Sequence, residues 1–279
     1  LLHFSTLNDK GVDMKKTKWV PVFALFIVLV WIGGGFTATE EESPSSPIDQ
    51  KAMAILMKMA DFLSQAKTFE VTLDTGYDVV QQNGQKVEFG AVRKMVVDRP
   101  NRQRVDIEQR DGSKAEFIFN GKEIYIYNAL DNVYGTIEKS GTIDQAVKYF
   151  TEELQMRYPL AELFSTSLPE FLKQIVNEIN YVDAAAIDGV NCDHLAARSD
   201  DVDFQVWIEK GNKPILHRII ITYKNEEAEP QFWGQFRNWN FAPKISDSLF
   251  AIHPPKDAEQ ISFVALVRQK SNSGEQKGE

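Results

Sequence analysis

Residues 68–98 read TFEVTLDTGYDVVQQNGQKVEFGAVRKMVVD. Phe69, Val71, Leu73 and Tyr77 alternate with Glu70, Thr72, Asp74 and Asp78, a period of two that suits a half-buried antiparallel strand. Asn83-Gly84 follows, a dipeptide that closes hairpins because both central residues of that turn need positive φ. Val87, Phe89, Ala91, Met95 and Val97 then form the apolar face of a returning strand. The same grammar continues along the chain. Asp111-Gly112, Asn120-Gly121, Asp188-Gly189 and Gly211-Asn212 punctuate further alternating runs. Strands are expected near 68–80, 86–98, 102–110, 114–120, 123–128, 132–138, 180–187, 190–199, 202–210, 214–224, 230–241 and 260–266. Strands joined mostly by tight turns describe a meander rather than βαβ units.

Three helical segments accompany the strands. Ile48, Ala52, Ile55, Leu56, Met59, Phe62 and Leu63 recur at helical spacing, with Ser46 expected as N-cap and Pro47 at the first helical position. The methionines of this helix (Met53, Met57, Met59) suit plain packing, with adaptation to a lipid as the alternative. Thr142 with Gln145 reads as a capping box opening Ile143, Ala146, Val147, Phe150 and Leu154; Ser167 with Glu170 reads as a second, opening Leu168, Phe171, Leu172 and Ile175. A sheet this long must curl. The fold class is α+β, mainly antiparallel β: a strongly curved sheet or incomplete barrel of 11–12 strands, with helices covering the concave apolar face. Some strands are apolar on both faces. Leu216 and Ile220 oppose Ile215, Ile219, Ile221 and Tyr223, and Trp233, Trp239 and Phe241 oppose Phe232 and Phe236. That second face needs a cover, either helices or an apolar ligand.

The 279 residues carry 40 acidic against 31 basic side chains, a formal charge of −9. Nucleic-acid binding relies on Lys and Arg neutralising phosphates, so this balance argues against it. Lys15, Lys16 and Lys18 precede the apolar run 19–32 and the small residues Gly33, Gly34, Gly35 and Ala38, the layout of a secretory leader. Met14 fits as the true start, with residues 1–13 an upstream extension. Residues 1–38 are therefore expected to be extension plus signal peptide, with a retained inner-membrane anchor as the competing reading. Without them the charge is −11, since four lysines and two aspartates leave. Residues 39–47 read as a linker, 48–266 as one domain and 267–279 as a polar tail. The expected compartment is the periplasm, and the expected state a monomer.

Chemistry-bearing motifs are sparse. Cys192 and His194 stand two apart on one expected strand, a spacing that lacks the third and fourth ligands of a zinc site. Neither a nucleophile elbow, a zincin helix, a P-loop nor a dinucleotide fingerprint occurs in the sequence. No catalytic residue, metal or cofactor is assigned, and the expectation is a binding protein.

Three segments carry a resemblance. Asp98-Arg99-Pro100-Asn101, then 119–128 (FNGKEIYIYN), together with 248–256 (SLFAIHPPK), resemble the lipoprotein-carrier (LolA-like) superfamily. Gly189, Cys192, His194 and Leu195, with Trp207-Ile208-Glu209, are most similar to an uncharacterised, predicted-periplasmic branch of it. The resemblance implies an incomplete barrel whose helices act as a lid over an apolar cavity. It also implies a cargo, either a lipoprotein acyl chain or another lipid-like ligand. The alternative is a periplasmic sensor or protein-interaction module with a collapsed cavity, acting through a membrane-protein partner. In the carriers the arginine of the Arg-Pro motif hydrogen-bonds the lid helices, and Arg99 occupies that position here. By alternation Arg99 shares a face with Phe89, Met95 and Val97; with Phe117 and Phe119 these are the expected ligand-lining residues.

Overall fold

A computed structural model describes residues 47–155 and 160–267; the leader, nearly all of the linker and nearly all of the tail lie outside them. Twelve strands form one sheet: β1 (Thr68–Val80), β2 (Lys86–Asp98), β3 (Arg102–Gln109), β4 (Lys114–Phe119), β5 (Glu123–Asn128), β6 (Val133–Glu138), β7 (Glu178–Ile187), β8 (Val190–Arg198), β9 (Asp203–Glu209), β10 (Leu216–Thr222), β11 (Gln231–Asn240) and β12 (Glu259–Gln260). The spatial order is β12-β6-β5-β4-β3-β2-β1-β11-β10-β9-β8-β7. Two meanders, β1–β6 and β7–β11, thus meet where β1 pairs with β11. Every pairing is antiparallel except β12 on β6. The outermost strands do not pair with each other, so the sheet is an unclosed barrel. The first eleven expected strands are all present, with each boundary within two residues.

The twelfth differs. Instead of a strand over 260–266, the chain pairs only at Glu259–Gln260 and turns helical over 263–267. Phe263, Leu266 and Val267 are buried together, a helical spacing, and the Phe263 backbone packs against Gly135 of β6. The turns differ too. Only Asp188-Gly189 has both residues at positive φ (49° and 81°). At Asn83-Gly84 and Asp111-Gly112 the glycine alone does, and its N–H bonds the carbonyl three residues back, as in hairpins that add a bulged glycine after a type I turn.

Three α-helices lie on the concave side: α1 (Gln50–Gln65), α2 (Ile143–Lys148) and α3 (Leu168–Ile175). The cap of α1 is Asp49, whose carboxylate accepts from the N–H groups of Lys51 and Ala52, rather than Ser46. Pro47 and Ile48 are extended instead, bonded to Ile179 at the start of β7. Thr142 and Gln145 make the expected capping box, and α2 then widens into a π turn over Tyr149–Glu153. Ser167 caps α3 by position only: its hydroxyl pairs with that of Ser165 at 2.7 Å, so the second capping box is not formed. Leu56, Met59 and Leu63 of α1 meet Phe69, Val71, Val97 and Val206 from the sheet in one apolar core.

Part of the convex face is covered by the chain's own C-terminal part. The segment carrying Ile245, Leu249, Phe250 and Ile252 lies over Ile118 and Tyr125 and closes a second small core. Arg102 ties it down through Asp247 at 2.6 Å and sits 4.8 Å over the Phe250 ring. Beneath it the Tyr125 hydroxyl is buried without a partner among the described residues, its pKa pushed up to about 12 by burial. Farther along, side chains cover the sheet themselves. Trp233 lies flat over Gly76, where any Cβ would collide with the indole, and Arg218 reaches over both Trp233 and Trp207. Trp239, expected opposite Phe236, instead stacks on it 5.7 Å away. The register shifts between Arg237 and Asn240, with Asn238 at φ 57°, and this bulge returns Trp239 to the concave side.

Candidate functional site

The helical cover is held to the sheet by Arg99. This residue ends the β1–β2 hairpin, and its backbone N–H bonds the Lys67 carbonyl. Its Nη1 donates to the carbonyls of Ala66 (2.8 Å) and Leu63 (3.4 Å), and its Nη2 to that of Phe164 (2.5 Å). The last carbonyls of a helix have no intrahelical donors and carry the negative end of its dipole. Arg99 therefore answers the open end of α1, and with its other nitrogen grips the short turn Ala161–Phe164. Its guanidinium sits 5.5 Å over the Phe69 ring, and its Nε is buried without a partner among the described residues. Desolvation lowers the Arg99 pKa, opposed by the charge of Asp144, but a guanidinium stays protonated throughout. Asp144 in turn accepts from the Thr166 N–H at 3.0 Å, so α2 joins the same clasp.

Beside this clasp is a cavity of about 230 Å³. Its roof is Leu56 and Met59 of α1, residues 160–163, and Leu168, Phe171 and Leu172 of α3; its floor is Phe204, Val206, Leu216, Ile219 and Ile221 of β9 and β10. The shared face of Ile219, Ile221 and Tyr223 was legible from alternation. Leu216 joins them because the register shifts between Leu216 and Arg218. The lining is apolar apart from the Tyr223 hydroxyl and Glu162. Burial, aided by Asp144 and Glu152 and opposed by Lys148, raises the Glu162 carboxyl above the ordinary range.

None of the residues expected to line a ligand site borders this cavity. Met95, Val97 and Phe119 are buried in the main core, in the other half of the sheet. Phe117 packs against Phe150 with ring centres 5.9 Å apart, and Phe89 against Tyr77 at 6.1 Å. Arg99 holds the segments that carry the roof, α1 and Ala161–Phe164, at residues outside the lining itself. Of the methionine stripe, Met59 faces the cavity, while Met53 and Met57 pack half-buried against the core.

Cys192, His194 and His217 are engaged elsewhere. The Cys192 thiol is fully buried, donates to the Val190 carbonyl and has its pKa pushed up to about 11 by burial and by Glu209. His194 is held between Asp183 (3.3 Å) and Gln205 (3.0 Å) and stacks on Trp207 at 4.2 Å. His217 meets Glu209 at 3.0 Å. A thiol this hard to ionise is a poor nucleophile and a poor metal ligand. Among the described residues no three His, Cys, Asp or Glu side chains converge as a metal site, and no helix is long and apolar enough to cross a membrane.

Comparison with solved structures returns proteins similar to this chain at low identity. The Mycobacterium bovis protein LprF is 13% identical, with 75% of this chain covering 98% of it at a TM-score of 0.47. The Mycobacterium tuberculosis lipoprotein LppX is 13% identical, with 71% covering 100% at 0.46. A LolA superfamily protein from Nitrosomonas europaea is 11% identical, with 72% covering 97% at 0.35. No curated protein matches the chain. Residues 52–264 match the family model described as predicted periplasmic protein (DUF2092), and the chain belongs to this periplasmic family.

Proposed function

We propose that this protein is a non-enzymatic periplasmic binding protein that shields an acyl chain, or a comparably apolar ligand, under its helical cover. The observation that carries the reading is the apolar cavity between α1, α3 and the β9–β10 floor. Each methylene moved from water into such a site is worth about 0.8 kcal/mol. At about 230 Å³ the cavity is smaller than the roughly 300–1,000 Å³ of sites that engulf drug-sized ligands. A long chain therefore enters only when the roof lifts. The clasp of Arg99 on the α1 end and on Phe164 is the contact that such lifting must break. Breaking three charge-assisted bonds to carbonyls costs about 5–9 kcal/mol, which the burial of about a dozen methylenes offsets. Loading and release then become two positions of one lid.

The test is native mass spectrometry of the protein recovered from a periplasmic extract, followed by organic extraction of anything bound. A discrete acyl-bearing species supports the reading. A clean apo mass that persists after incubation with phospholipid vesicles or a lipidated peptide sinks it.

A further inference from the structure

The polar groups of the cavity under the helical cover are few and carry one sign of charge. Among the described residues its lining includes no Lys, Arg or His and no Ser, Thr, Asn or Gln. What remains is the hydroxyl of Tyr223 and the carboxylate of Glu162. Glu162 lies in the short turn Ala161–Phe164 of the roof and is half-buried. Among the described residues no donor hydrogen-bonds its carboxylate; the charges that act on it are those of Asp144, Lys148 and Glu152, two acids against one base, and all act through space. Asp144 is itself occupied by the Thr166 N–H at 3.0 Å.

Cations near the cavity are committed to other partners. Arg99 donates to the carbonyls of Leu63, Ala66 and Phe164, none of which lines the cavity. Where β10 leaves the floor, Lys224 follows Tyr223 and donates to the Ser199 carbonyl and to Asp203. Arg198 pairs with Glu178 and Asp203. An anion moved from water into apolar surroundings is costly unless a cation or several donors meet it. A ligand carboxylate entering here would meet apolar walls, one tyrosine hydroxyl and another carboxylate. Burial already raises the Glu162 pKa, and a second anion beside it would raise it further, at a cost to both. A hydroxyl, an amide N–H or an amine donates to the Glu162 carboxylate instead, and that bond is charge-assisted.

We infer that Glu162 makes the cavity selective for the polar end of its ligand: an aliphatic chain ending in a neutral or cationic hydrogen-bond donor is held, and the same chain ending in a carboxylate is turned away. The inference rests on the cavity being the ligand site, as proposed above. Glu162 is then a specificity-determining residue. An acyl chain attached through an amide enters, whereas the free fatty acid of the same length does not. The apolar walls supply affinity for either chain, and the single carboxylate decides between them.

The test is titration calorimetry of the full chain at pH 8 with decanol, decylamine and decanoate, each below its micelle concentration. Decanol and decylamine are expected to bind about tenfold tighter than decanoate, or more. Glu162→Gln should bring decanoate to within about threefold of decanol, and Glu162→Lys should place decanoate first. A merely structural role for Glu162 would change all three affinities together. Val206→Phe, in the floor, should weaken all three probes; a preference that survives it at full strength belongs to another site and overturns the inference. Equal binding of decanol and decanoate to the wild type, or a preference unchanged in both Glu162 variants, also overturns it and leaves the cavity reading in place. Failure of all three probes to bind overturns it together with that reading.

Discussion

Arg99 and Phe164 lie 65 positions apart in sequence, yet the guanidinium of one meets the carbonyl of the other at 2.5 Å. The same side chain holds the last turn of α1. One residue at the end of β2 thus links the sheet to both parts of the cover, and its removal frees both at once. Arg99→Ala is expected to lower stability by about 3–6 kcal/mol, since each of its two shorter hydrogen bonds to a carbonyl is worth about 1.5–3 kcal/mol. Denaturant unfolding measures the loss. Hydrogen exchange should show α1 and 161–175 opening faster while β3–β5 stay protected; uniform acceleration would mean that Arg99 is no clasp.

Val206→Phe places a ring in the cavity floor. Uptake of a fluorescent acyl probe should fall at least tenfold. The melting temperature should hold within a few degrees, because the added ring fills empty space instead of a packed core. Undiminished uptake would move the ligand to another site.

Glu162 gives the protein a pH signature. Its carboxyl pKa is raised in the folded state, chiefly by burial, so the native protein binds the proton more tightly than the unfolded chain does. Between the two pKa values stability then falls as pH rises. The penalty is complete above the raised value and absent below the ordinary carboxylate range. Glu162→Gln should therefore melt higher than wild type at pH 7, with the gap closing on acidification. Thermal melts of both proteins from pH 3 to pH 8 test this; a gap that widens in acid contradicts it.

Cys192 should behave as an inert thiol. With its pKa pushed up to about 11, its thiolate fraction near pH 8.5 is on the order of a hundredfold below that of a free cysteine. A thiol reagent at pH 8.5 should label the native protein slower by at least that factor and the denatured protein at the ordinary rate.

Phe250→Ala should open the convex-face core. Phe250 is 3% exposed against Ile118 and Tyr125, and truncating such a phenylalanine costs about 3–5 kcal/mol. Tyrosine fluorescence quenching reports whether Tyr125 becomes accessible. A loss below about 1 kcal/mol would mean that the segment only rests on the sheet.

Strands were the most legible part of this protein. From Thr68 to Asp98 every inward residue follows from alternation, and Phe69, Val71, Met95 and Val97 are buried as the period of two requires. Position 99 was legible as well, because the Arg-Pro pair has a sequence signature. The cavity was not. Its floor depends on Leu216 and Ile219 sharing a face, which the register shift between Leu216 and Arg218 brings about. A one-residue slip moves a side chain to the other face, and no composition rule marks where a bulge falls. The same reason hid the inward turn of Trp239.

The amino-acid sequence by itself determined the local choices: where the chain extends, where it turns, which residues of each strand are apolar, and that acid outweighs base. These depend on periods of two or 3.6 and on neighbours a few residues away. Tertiary structure alone decided which strand lies at the open edge, that 245–252 covers the convex face, and where the packing of α1 and α3 on β9 and β10 leaves space. Those outcomes depend on residues a hundred or more positions apart, as in Lys58 of α1 reaching the Gly211 carbonyl beyond β9. A void is what remains when all such contacts have been made, so no stretch of sequence encodes it.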